Sequence, residues 1–137
     1  MKLPALPSAA RFGRRFARRQ LRLWELDELA EDVELVISEL LTNAVRAALS
    51  SAGPLSQVLL RLRLTPAGVH VEVSDPDPTP PAPAAPTDLA EAGRGLALVA
   101  ALSEEWGYER LATGGKTVWA RHAPRPTRAE RPRHPLS

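Results

Sequence analysis

From about Asp27 to Ser50 the chain sets Val33, Val36, Ile37, Leu40, Leu41, Ala44 and Ala48 at helical spacing, as one wide apolar stripe. A helix of that length with one apolar side has to lay it on another layer of the protein. Acidic residues crowd its first turns, where they complement the helix dipole, and Gly53-Pro54 stops it. Glu39 and Asn43 project four residues apart from one edge of the stripe, beside Val36. Asn43 is the only asparagine in the chain, and asparagine is a mediocre helix former. The pair reads either as a solvated helix flank or as a carboxylate and an amide able to hold a hydrated metal ion and a water.

The segments on either side limit what this helix meets. Residues 8 to 23 suit an amphipathic helix capped by Ser8, with Arg11, Arg15, Arg18 and Arg22 on one face and Phe12, Phe16 and Leu23 elsewhere. Its arginines read as a solvated face or as a nucleic-acid or membrane contact. Gln57 to Leu64 alternates, with Val58, Leu60, Leu62 and Leu64 on one side, as in a half-buried strand. After the turn Thr65-Pro66-Ala67-Gly68, Val69, Val71 and Val73 alternate with polar residues. Asp75 shares the parity of these valines, so a carboxylate points to the buried face where the strand ends. Buried carboxylates need donors; without a base in the matching motif, a ligand donor is a candidate.

Six prolines between Pro76 and Thr87 exclude regular structure there. Gly93-Arg94-Gly95 then leads into the apolar helix Leu96 to Leu102, a glycine-flanked start whose free amides can receive phosphate oxygens. Two further strands, Trp106 to Leu111 and Thr117 to Arg121, flank the Gly114-Gly115 turn. Phe12, Phe16 and the three tryptophans read as core. Residues 1–7 read as a flexible N-terminus, 8–122 as one domain, and 123–137 as a disordered Pro/Arg-rich tail.

Composition removes several classes of function. The chain has 137 residues, no cysteine and three scattered histidines, which excludes disulfides and thiolate sites and argues against zinc. No apolar run is long enough to span a bilayer and no signal-peptide core is present, so the expected location is the cytoplasm, without membrane contact. No nucleic-acid reader motif appears, which leaves direct nucleic-acid binding through the basic first helix a remote alternative.

Three segments in order, Val36-Ile37-Ser38-Glu39-Leu40-Leu41-Thr42-Asn43-Ala44-Val45, Val71-Glu72-Val73-Ser74-Asp75-Pro76 and Gly93-Arg94-Gly95-Leu96-Ala97-Leu98-Val99, carry a resemblance, with Gly115-Lys116-Thr117-Val118-Trp119 a weaker fourth. The chain resembles the GHKL superfamily of ATP-binding domains. Within it, the chain looks like the stand-alone anti-sigma-factor serine kinases in their compact form abundant in actinobacteria. The resemblance implies an α+β two-layer sandwich, the Bergerat ATP-binding fold, with a mixed, mostly antiparallel sheet covered on one face by helices. It implies ATP and Mg²⁺ as cofactors, with Asn43 as metal ligand and Glu39 as catalytic base. It implies that Asp75 accepts a hydrogen bond from the adenine amino group. Gly93, Arg94, Gly95 and Leu96 would meet the phosphates from a lid spanning Pro76 to Ala92, and Thr117 would support the adenine site. The implied partners are an antagonist-like protein as substrate, a sigma factor, and a second copy of the chain. The alternative is a partner-binding module with weak catalysis. The family usually has glycine where this chain has Asp77; a side chain there narrows the purine pocket, and its charge repels phosphate.

Overall fold

A computed structural model of the chain describes residues 1–81 and 90–124, with the backbone alone over 90–94. The first element is a short strand, β1 (Lys2–Pro4), followed by the helix α1 (Ala9–Leu23). One 3-10 turn, Asp27–Leu29, leads directly into α2 (Ala30–Ala52). The hairpin of β2 (Gln57–Thr65) and β3 (Gly68–Asp75) comes next, then α3 (Ala90–Leu102), β4 (Glu105–Arg110) and β5 (Lys116–His122). The strands form one sheet in the order β1-β2-β3-β5-β4, and each neighbouring pair is antiparallel. The expected sandwich is present, but the sheet is wholly antiparallel rather than mixed.

Helices cover one face of this sheet, and α2 packs on β2, β3 and β5. The core is the α2 stripe meeting alternate strand residues, among them Val58, Leu60, Val71, Val73 and Val118. Leu64 shares the inward parity of β2 but is exposed. The opposite sheet face is polar and carries the Arg63–Glu72 and Arg121–Glu105 ion pairs. One-sided burial is what an alternating antiparallel sheet allows.

Two expectations about the N-terminal part change. Residues 2–4 are ordered as an edge strand: Leu3 pairs with Val58, and the N-terminal ammonium donates to the Leu60 carbonyl at 2.8 Å. The buried stripe of α1 is Ala9, Gly13, Ala17 and Leu21, not the phenylalanine face; Phe12 and Leu23 are exposed and Phe16 only half-buried. Small residues let α1 approach α2 closely. A Cβ on Gly13 would collide with Leu41 Cδ1 and sit 3.1 Å from Ile37 Cγ2. Trp24 and Trp106 pack half-buried against the core, whereas Trp119 sits on the polar sheet face. The charge blocks also find an explanation. Arg18 pairs with Glu34, and Arg14 donates to Ser38 Oγ at 3.0 Å, so the basic helix lies along the acidic one. Arg11, Arg15 and Arg22 remain solvated.

His122, at the end of β5, is 3% exposed, and its Nε2 has no hydrogen-bond partner among the described residues. Burial holds its pKa below the ordinary 6.5, against the weaker upward pulls of Asp32, the Leu102 carbonyl and Glu104. The unfolded chain therefore binds a proton that the folded chain resists. The stability this residue contributes is complete above pH 6.5 and is lost as pH falls below it, with a slope of up to about 1.4 kcal/mol per pH unit. Urea midpoints measured from about pH 7.5 to about pH 5.5 are expected to fall in the wild type and to fall less in His122→Phe. His70, shifted the same way by its own partial burial, accounts for a residual slope in that variant. Equal slopes in the two proteins would remove His122 from the account.

Candidate functional site

The inward parity of Asp75 places it where β3 ends beneath α2, and its register partner on β5 is Lys116. Both are buried, at 6% and 5% exposure. Lys116 Nζ donates to Asp75 Oδ1 at 3.1 Å and to the Asp77 carbonyl at 3.0 Å. The Asp77 N–H donates to the same Asp75 oxygen at 2.8 Å. The expectation that Asp75 lacks a protein base is therefore overturned. The base is Lys116, which shares the parity of the buried Val118 and Ala120 and so faces inward. Desolvation still pushes the Asp75 carboxyl above its ordinary range, with the Asp77 N–H and Lys116 pulling it back.

Thr117 stands one residue on and therefore points the other way. Its hydroxyl is hydrogen-bonded to Ser74 Oγ at 2.7 Å, on the polar sheet face with Trp119 and Arg121. It does not reach the site, and Lys116 occupies the place proposed for it. Asp77 does line the site, through its backbone amide and carbonyl. Its carboxylate accepts the Thr79 N–H at 2.9 Å, which holds its pKa below the usual value. That hydrogen bond anchors the side chain to its own loop and keeps it ionised, so its negative charge stays at the cleft.

These residues border a cleft of about 290 Å³ between α2 and the sheet. Val73, Val118 and Leu96 supply apolar walls, Asp75 and Lys116 a polar end, and Asn43 an amide on the α2 side. Pro80 and Pro81 close its rim. Such a hollow, mostly apolar with a few convergent polar groups, is the usual form of a small-molecule site.

Glu39 and Asn43 are half-buried on α2 and meet α3 at Gly95. A Cβ on Gly95 would lie 2.5 Å from Glu39 Oε2 and 3.7 Å from Asn43 Nδ2. Glycine is what allows the two helices to close on the carboxylate. Gly93, Arg94 and Gly95 lie within the first two turns of α3, not ahead of its start. The Gly95 amide is thus part of the helical ladder, because only the first few N–H groups of a helix are free. The Arg94 side chain and residues 82–89 of the expected lid lie outside the described residues, as does the tail from 125 onward.

The profile of the histidine kinase-like ATPase domain matches residues 3–122. The chain belongs to this family. No curated protein matches it significantly.

The cleft of this histidine kinase-like ATPase domain suits the ATP that the family binds. Asp75 Oδ2 accepts no hydrogen bond among the described residues. Apolar side chains line the cleft beside it. No group of three or more His, Asp or Glu among the described residues could cage a metal. The Asn43 amide oxygen is a single hard ligand of the kind a hydrated Mg²⁺ accepts. Among the described residues no helix is long and apolar enough to cross a membrane.

Proposed function

We propose that this histidine kinase-like ATPase domain is a Mg-ATP-dependent serine protein kinase of the anti-sigma-factor type. Its substrate is a small antagonist protein, a sigma factor is a second binding partner, and the chain can pair with a second copy of itself. One observation carries the reading: Glu39, Asn43 and Gly95 meet on the α2–α3 contact beside a cleft that ends in Asp75. Asp75 Oδ2 accepts the adenine amino group, and the apolar walls hold the ring. Asn43 and the metal site it serves mark the phosphate end. Bound Mg²⁺ supplies neutralisation of phosphate charge. Glu39 takes the proton of the substrate serine as its oxygen bonds to the terminal phosphorus and ADP departs with the bridging oxygen.

Calorimetric titration tests this reading. Mg-ATP is expected to bind the wild type, to bind far more weakly when Mg²⁺ is chelated, and to lose at least about tenfold in Asn43→Ala, the effect of losing one polar contact to a charged group. No heat at millimolar ATP leaves the second reading, a partner-binding module that keeps the fold without the transfer. A specific observation favours that reading: one oxygen of Asp75 is already taken by Lys116.

A further inference from the structure

Among the described residues, Arg46 and Lys116 are the cations on the cleft wall with no task in the proposed mechanism. Arg46 is exposed, whereas Lys116 is nearly fully buried and is held at a fixed point by Asp75 and by the Asp77 carbonyl. An ammonium carries three N–H donors. Two are accounted for, and the third has no acceptor among the described residues. Beside it, Asp75 Oδ2 accepts no hydrogen bond among the described residues. Both side chains line the same cleft. One donor and one acceptor, held side by side by an ion pair, form a two-point reader.

The geometry points to Lys116 as a base-reading residue that donates to the ring nitrogen next to the exocyclic amino group held by Asp75. In adenine that nitrogen is N1, an acceptor adjacent to the N6 donor, so the base edge matches the Asp75–Lys116 edge point for point. The inference rests on the proposed ATP site and adds a residue to it. Two features of the chain support the assignment over a plain structural ion pair. A lysine this buried needs its donors used, because an unmet buried donor is costly. The Asp77 amide and carbonyl also fix the pair in place, and both side chains border the cleft.

The test compares ATP with 1-deaza-ATP, in which a C–H replaces N1 and nothing else in the nucleotide changes. Wild-type protein with Mg²⁺ is expected to prefer ATP by about tenfold, the discrimination of one well-placed base contact. In Lys116→Met, which retains the length of the stem, the two nucleotides are expected to bind alike. A wild type that does not distinguish them overturns the proposal, as does a preference that survives in Lys116→Met. Tighter ATP binding by Lys116→Met also overturns it, and shows Lys116 to be a plug over Asp75. Should that variant fail to fold, Lys116→Arg retains the cation but moves its donors, and an unchanged ATP to 1-deaza-ATP ratio then counts against the proposal. Failure of both nucleotides to bind wild-type protein removes the ATP-site reading, and this inference with it. Binding of ATP without discrimination removes this inference alone.

Discussion

Asp75→Ala is expected to lower the unfolding free energy by about 3–5 kcal/mol, the cost of leaving a buried charge without its partner. Both members of the pair are nearly free of solvent. After the substitution Lys116 retains only the Asp77 carbonyl. The intact pair is not itself a large stabiliser. Burial raises the Asp75 carboxyl despite a lysine at 3.1 Å, which means that desolvation outweighs attraction at that carboxylate. Removing both charges should therefore cost much less than removing one. Asp75→Ala/Lys116→Met is expected to recover most of the loss, because methionine fills the space of the lysine stem and no ion remains. Urea unfolding of the two single variants and the double variant measures this directly. A single variant within about 1 kcal/mol of wild type would mean that the pair is solvated in solution. A double variant as unstable as Asp75→Ala would place the loss in packing rather than charge. The same cycle bears on function, since a pair that stabilises little is better explained by what it presents to the cleft.

How far the site could be read from sequence depended on which signal each residue carried. Period-two alternation in β3 pointed Asp75 inward, and the structure agrees. The same count on β5 puts Lys116, with Val118 and Ala120, on the inner face and Thr117 on the outer. Motif order outranked parity there, and lysine is seldom buried. Helix α1 misled for a different reason. Phenylalanines weigh heavily in any apolar count, but the distance between two helices is set by the smallest residues at the contact, here Ala9, Gly13 and Ala17. The strand Lys2–Pro4 has no local signal, because three residues become a strand only through the β2 edge they pair with. Glycine at 93 and 95 suggested a helix start. The helix begins at Ala90 instead, and at Gly95 the glycine serves to admit the Glu39 carboxylate. For α1, for the first strand and for the contact at Gly95, the missing information was a neighbour distant in sequence.

Glu39→Gln is expected to keep Mg-ATP binding within about threefold and to lower transfer of the terminal phosphate by about a hundred- to ten-thousandfold, the span that general-base catalysis provides. The amide has nearly the shape of the carboxylate, so the α2–α3 contact at Gly95 persists, but it cannot take a proton at neutral pH. Glu39 does not border the cleft, while Asn43 does, which is why the two substitutions should separate transfer from binding. Labelled ATP with the antagonist protein, or with water as acceptor in its absence, reads the transfer; calorimetry reads the binding. Gly95→Ala supplies a second, independent arm. Its Cβ would stand 2.5 Å from Glu39 Oε2, so the carboxylate must move although its chemistry is untouched. A displacement on the order of an ångström at a catalytic group can cost about a hundredfold. If Glu39 is the base, both variants lose transfer, one through chemistry and one through position, and both remain folded. Unchanged transfer in Glu39→Gln rejects it as the base. Loss in Glu39→Gln with full activity in Gly95→Ala would mean that the carboxylate reaches the serine from a different rotamer, away from α3.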